Sequence, residues 1–260
     1  MPWFGESWNP VTDILDLTGK IALVTGRNAG IGSAIVEQLA IHGAKVYLGA
    51  RSAEKAEDAI RKIETEHLEV REKKEFMKKE SHLDMLGKRM NLMPILEATA
   101  ASPNSDVRIV VMSSIAHSIT PKLAGLKTIE ELNIPWHGYK STGFLAQMKR
   151  YSFTKLCNEL FKVELQRRLD AEGSNIVTIS THPGMVKSKN SIDSAPLVFK
   201  LLITRFGKTL TGGATSALFA ASSPQVRREL QKYKAAYLTS DATIKHASAQ
   251  ARDMKMAGDL

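Results

Sequence analysis

The chain has 260 residues, a formal net charge of +9, a single cysteine and an apolar share of 43%. These values suit one large α/β domain with a substantial core and exclude a disulfide-built scaffold or a cysteine-rich metal site. The densest basic run, "REKKEFMKKE", is interleaved with glutamates like a solvated helix face, and no basic–aromatic alternation points to nucleic acid.

The opening "MPWFGESWNP" lacks the basic start and apolar stretch of a signal peptide, so a cytoplasmic protein is expected. "KIALVTG" (20–26) reads as a short apolar strand ending in glycine. "IGSAIVEQLAIHG" follows with Ile31, Ile35 and Leu39 at helical spacing. "AKVYLGA" (44–50) is a second strand. "SAEKAEDAIRKIETEH" is a charged helix with Ser52 as its N-cap. Strand, helix, strand, helix is the start of a doubly wound parallel sheet.

The middle breaks this rhythm. Residues 52–101 read as three helices with no strand, whereas a parallel sheet needs a strand between successive crossover helices. Two strands, a helix and their connections, roughly 40 residues, are missing by typical element lengths. The aberrant region is 67–101, within a single domain whose core spans about 15–240.

The pattern then resumes. "VRIVVMSS" (107–114) is a buried strand, "FTKLCNELFKVELQRRL" (153–169) a helix and "NIVTIST" (175–181) another strand. "PLVFKLLITRFGKTL", broken by Lys200 and Arg205, is too short and charged to span a bilayer. It reads as a substrate-side helix, with an amphipathic lid or a membrane-surface contact as the alternatives. "GGATSALFAASSP" (212–224) is helical, and "AAYLTS" is a last edge strand. Cys157 falls in an apolar helical stripe, and the seven histidines show no metal-ligand spacing. The expected architecture is α/β, Rossmann-like, lacking one or two central strands.

Four segments carry chemistry. "TGRNAGIG", Thr25 to Gly32, sets Gly26, Gly30 and Gly32 between a strand and a helix. Glycines there permit a tight turn and close backbone approach, and the helix N-terminus faces a pyrophosphate. A tight turn without a ligand would look the same, but the flanking strand and helix favour a cofactor. After the second strand, "YLGARSAEK" offers Arg51 where an NAD site usually offers an acid, and Arg27 is a second phosphate contact. NADP(H) is therefore expected over NAD. "YSFTK" sets Tyr151 and Lys155 four apart at a helix start, on one face. A nearby ammonium makes a phenol a usable proton donor or base. "VVMSSIAH" adds Ser113 or Ser114 at the carboxyl end of a strand, and "THPGMVKS" follows another strand at the same edge.

In this order the segments resemble the short-chain dehydrogenase/reductase family. The wider text ("SSIAH", "KLCNELFKVELQRRL", "HPGMV") is similar to its retinol-dehydrogenase-like branch, especially fungal members. The resemblance covers about residues 15–70 and 105–240. It implies that Tyr151 exchanges a proton, that Lys155 holds the nicotinamide ribose, and that Ser114, the second of the pair, orients the carbonyl. It implies cofactor contacts from Thr25, Gly26, Arg27, Asn28, Gly30, Ile31, Gly32, Arg51, Tyr151, Lys155, Pro183, Gly184, Val186 and Ser188. Trp136 and Phe144 are candidates for an apolar substrate pocket, or are ordinary packing of the insertion between Ser114 and Tyr151.

The chain departs from the family in the middle. No third strand with its adenine-contacting acid is legible, the "NNAG" stretch is absent, and no residue matches the asparagine of the proton relay. "KEFMKKESHLDML" reads as a helix end joined to a strand start, as an internal deletion would leave. The implied function is an NADP(H)-dependent oxidoreductase interconverting a carbonyl and an alcohol on a lipophilic small molecule. The alternative is an impaired relative that retains only nucleotide or partner binding. A small-molecule substrate, no nucleic acid, no transmembrane segment and a homo-oligomer complete the expectations.

Overall fold

The computed structural model describes residues 8–26, 30–50, 53–67, 77–81, 92–134, 136, 143–193 and 195–260. In the first part, β1 (Ile21–Thr25), α1 (Ile31–Ile41), β2 (Lys45–Ala50), α2 (Ala53–Glu66) and β3 (Met77–Ser81) alternate. After α3 (Leu92–Ala100) come β4 (Arg108–Met112), a 3-10 turn (Ile115–Ile119), α4 (Ile129–Leu132) and the long α5 (Phe144–Ala171). Then follow β5 (Val177–Thr181), α6 (Lys189–Asp193), α7 (Leu197–Phe206), α8 (Leu210–Ser222), α9 (Pro224–Arg228) and α10 (Leu230–Tyr233). The chain ends with β6 (Ala236–Leu238), β7 (Ile244–Lys245), a 3-10 turn (Gln250–Arg252) and α11 (Met254–Asp259).

The strands form two sheets. β1, β2 and β3 are parallel in that order, with Leu23 opposite Tyr47 and Leu48 opposite Lys79. β4, β5 and β6 are parallel, and β7 closes the far edge antiparallel to β6. Among the described residues no ladder joins β1 to β4. The third strand corrects the sequence reading, which placed no strand in 52–101. Its sequence, Met77-Lys78-Lys79-Glu80-Ser81, has no apolar alternation, so it resembles a solvated helix end. Backbone pairing with β2 makes it a strand all the same. A second correction concerns "AAYLTS": β6 is an interior strand, because β7 lies outside it.

α8 packs against both halves. Ala214 and Leu218 enter the core formed by α1, β2 and their neighbours, including Val36, Leu39 and Leu48. Phe219 and Ala220 enter the core under β5 and β6, with Val177, Ile179 and Leu238. Trp8 packs on both cores and meets the Phe219 ring edge-on at a centroid distance of 5.4 Å. The glycines of "GGATSALFAAS" permit this closeness. A Cβ built at Gly213 would lie 2.5 Å from Val186 Cγ2, so no larger residue fits without displacement.

α5 runs for 28 residues because it has apolar partners at more than one level. Phe153, Leu156 and Leu160 pack with Tyr237, Ala251 and Met256, while Leu169 packs with Val107 and Ile176. It starts at Phe144, so Tyr151 and Lys155 sit two turns inside it rather than at the helix start that the sequence suggested. Within α5, Glu159 and Lys162 are fully buried and lie 3.2 Å apart. Lys162 also donates to the Ala235 carbonyl at 2.7 Å, and the Ser180 hydroxyl donates to Glu159 at 2.7 Å.

Candidate functional site

The carboxyl ends of β1, β4 and β5 carry the candidate residues. Thr25 is the last residue of β1, and Gly26 turns the chain with φ of 69°. Arg27 and Asn28 lie outside the described residues, as does Arg51. Gly30, with φ of 75°, caps α1, and Ile31 and Gly32 open the helix. The left-handed conformation of Gly26 and Gly30 explains their residue type. No side chain caps α1 and its first turn holds no acid, so its N-terminal amides suit a phosphate group. Ile31 itself packs into the first core.

At the end of β4 the backbone passes through Ser113 and Ser114. In a parallel ladder alternate residues face alternate neighbours. Val107 accepts from Val177 and Ser113 donates to Thr181, so the odd residues face β5 and the Met112 carbonyl faces the opposite edge, toward no ladder partner. Two α5 side chains reach that carbonyl: Lys155 Nζ at 3.0 Å and Asn158 Nδ2 at 3.0 Å. The Ser113 hydroxyl donates to the Lys155 carbonyl at 3.2 Å, which ties α5 to the strand end. Tyr151, one turn earlier, is half exposed, and Lys155 Nζ lies 5.6 Å from its ring centre. Burial of the Lys155 ammonium lowers its pKa.

Ser114 is buried and caps the 3-10 turn, its Oγ accepting from the Ala116 amide at 3.2 Å. Its hydroxyl proton is left to donate elsewhere. The Ser114 carbonyl lies 2.7 Å from His117 Nδ1, and His117 Nε2 accepts from the Ser248 amide at 3.0 Å. These partners hold the His117 ring between the end of β4 and the loop at Ser248.

After β5 the chain turns through His182, Pro183 and Gly184. His182 Nδ1 accepts from the amides of Ile115 at 3.3 Å and Gly184 at 3.4 Å, joining the ends of β4 and β5. Burial, followed by the nearby His117 and Lys208, lowers the His182 pKa. Gly184 has φ of 79°, and a Cβ there would lie 3.0 Å from Ser240 Cβ. Val186 is buried and bridges to Lys208. Ser188 reaches the glycine turn: its Cβ is 3.8 Å from where a Cβ on Gly30 would stand. Its hydroxyl lies 2.6 Å from that of Ser191.

The described candidates therefore form one continuous rim, from Tyr151 and Lys155 through Met112 to Ser114, and through His182 to Ser188 and Gly30. Trp136 and Phe144 stand apart from each other. Trp136 packs on Phe153, at 6.1 Å, beside a cavity of about 410 Å³ lined by Leu123, Glu131 and Ile134. Phe144 stacks on Phe199 at 5.6 Å. Neither that cavity nor a second, of about 480 Å³ beside Trp8 and Thr211, is lined by Tyr151 or Lys155. Asn158 and His182 escaped the sequence reading. In "FTKLCNELF" the asparagine looks like any polar helix position, and only its spacing of three from Lys155 hinted at a shared target.

Comparison with known proteins adds a lineage. A family profile described as short chain dehydrogenase matches residues 20–86. The short chain dehydrogenase/reductase dpchH of Colletotrichum higginsianum is 34% identical over 307 positions, covering 99% of this chain and 77% of that protein. Its counterpart dpfgH of Gibberella zeae is 32% identical over 289 positions, covering 96% and 82%. Both alignments run longer than the 260 residues here, so some positions of each relative face no residue of this chain. Among solved structures, a protein from Mycobacterium Paratuberculosis superposes with a TM-score of 0.62 at 21% identity, covering 97% of this chain and 94% of that one. The Pseudomonas aeruginosa RhlG/NADP active-site complex superposes with a TM-score of 0.56 at 18% identity, covering 89% and 98%. The structural likenesses give the Rossmann-like fold.

Proposed function

The chain belongs to the short-chain dehydrogenase/reductase family, and from that premise we propose that it is an NADP(H)-dependent oxidoreductase interconverting a carbonyl and an alcohol on a lipophilic small molecule. The observation that carries this reading is the rim itself: a half-exposed Tyr151 one helical turn from Lys155, tied to the strand end that bears Ser114.

The residues present fit a dinucleotide. The uncapped α1 N-terminus and the glycines at 26 and 30 would hold its phosphates, and Ser188 with the Pro183–Gly184 turn would flank its ring. Arg51 and Arg27 would hold a 2′-phosphate. When bound, the nicotinamide supplies or accepts the hydride. Tyr151 then gives a proton to the substrate oxygen in reduction, and takes one from the alcohol in oxidation. Lys155 holds the ribose, with its Nζ 5.6 Å from the Tyr151 ring centre. The Ser114 hydroxyl, free as a donor, orients the substrate oxygen.

The same reading holds that a strand-bearing segment has been lost between β3 and β4. The missing ladder between β1 and β4 and the unmatched positions of the relatives support it. The test is a hydride-transfer assay across aldehydes, ketones and retinoids with NADPH and NADH in parallel. Turnover preferring NADPH, lost in Tyr151→Phe, is expected. Preference for NADH would overturn the cofactor choice, and full turnover by Tyr151→Phe would overturn the mechanism.

A further inference from the structure

Residues 189–206 leave the rim and return to it at nearly the same place. The base of this excursion is closed by Lys187 N donating to the Lys208 carbonyl at 2.9 Å, and by Lys208 N donating to the Met185 carbonyl at 2.8 Å. α7 lies on the excursion and faces the protein through Ile203, its only buried residue, and through the Phe199 ring on Phe144. The opposite side should be polar in a water-facing helix. Instead Leu197 (74% exposed), Val198, Leu201 (65%), Leu202 and Phe206 (66%) form a continuous outward stripe at helical spacing. Leu145, beside Phe144, extends it.

The charges around this stripe are predominantly basic. Lys187, Lys189 and Arg205 are exposed and Lys200 is half-buried, while Asp193 is the sole acid between residues 185 and 210. The inward side carries the buried Ile203, while Phe199, itself 49% exposed, rests on Phe144. Pairing with the same face of a second copy would bring two basic rims together, which like-charge repulsion opposes. A ten-residue helix is about 15 Å long and too short to span a bilayer, but it can lie in the headgroup region with apolar side chains down and cations at the phosphates.

We propose that α7 docks this protein, without crossing, on the surface of an anionic phospholipid bilayer. The proposal stands apart from the catalytic reading, though it turns the rim near Ser188 toward the lipid. Each exposed cation contributes attraction to an anionic surface, and the leucines supply apolar burial.

The test is co-sedimentation of the full chain with vesicles of phosphatidylcholine, alone or with phosphatidylserine. Binding to the phosphatidylserine vesicles is expected, much weaker on phosphatidylcholine alone and reduced by added salt. Lys189→Gln should weaken it about five-fold, and Leu201→Asp roughly ten-fold or more. Both positions are exposed, and circular dichroism of each variant should match the parent. Failure to sediment with anionic vesicles, equal binding to both vesicle types, or binding unchanged in Leu201→Asp would overturn the proposal. A concentration-dependent dimer dissolved by Leu201→Asp would overturn it in favour of self-association.

Discussion

Lys155 Nζ donates to the Met112 carbonyl at 3.0 Å, and Asn158 shares that acceptor. The carbonyl faces the sheet edge that has no ladder partner among the described residues, so two side chains serve where a strand would otherwise donate. If Lys155 turns to a ribose, Asn158 remains on the carbonyl and the edge group stays satisfied.

Asn158→Leu removes that second donor. The Lys155 ammonium then leaves the Met112 carbonyl at the cost of an unsatisfied acceptor, about 1–3 kcal/mol. The cofactor dissociation constant should rise about ten-fold, while Asn158→Gln recovers part of the loss. Calorimetric titration with NADPH checks this; an unchanged constant in the leucine variant would refute the sharing argument.

The buried pair of α5 makes a stability prediction. Lys162→Met leaves the Glu159 carboxylate buried without its cation and should cost roughly 3–5 kcal/mol. Adding Glu159→Leu removes the stranded charge and should recover most of that loss. Urea unfolding of the single and double variants measures both values, and a neutral single substitution would contradict the assignment.

His182 sets an acid limit. Its folded pKa is depressed, so the native state resists protonation. The stability it contributes is present above the ordinary imidazole value and is lost as pH falls through the folded value. Unfolding midpoints should therefore drop between about pH 7 and about pH 5 more in the parent than in His182→Asn. The asparagine oxygen can still accept from the Ile115 amide. Equal drops would remove His182 as the cause.

Among the described residues β1 has no strand on its outer edge, and such an edge invites association. Ile21 is 70% exposed on that strand, and Leu23 is partly exposed. An unpaired edge with apolar side chains templates pairing with other chains. Ile21→Lys should reduce light scattering on storage or warming and leave the unfolding midpoint within about 0.5 kcal/mol of the parent. Scattering unchanged by the lysine would point to another surface.

What the sequence made legible follows from which residues declare themselves. β1, β2, β4 and β5 are short segments rich in β-branched and apolar residues, and their helices carry apolar spacing, so the alternating architecture was readable. β3 was not, because Lys78, Lys79 and Glu80 have no strand signature and it is backbone pairing with β2 that makes them a strand. The start of α5 was misplaced because Phe144 to Arg150 lack a capping side chain, and Gly143 opens the helix without one. Tyr151, Lys155 and the glycines at 26 and 30 stand out by spacing, whereas the choice of Ser114 over Ser113 rests on the family resemblance. The shared Met112 carbonyl was not, since a backbone acceptor on an unpaired edge leaves no mark in the side-chain text. The imidazole joining β4 to β5 was hidden for a similar reason, its partners being amides.

Because α8 and Trp8 pack on both cores and no ladder joins β1 to β4 among the described residues, the spacing of the two sheets rests there on side-chain contacts, which yield more readily than a hydrogen-bonded ladder. With Trp3 and Trp136 replaced, the Trp8 indole, in contact with both cores, would report through its emission any change in that spacing.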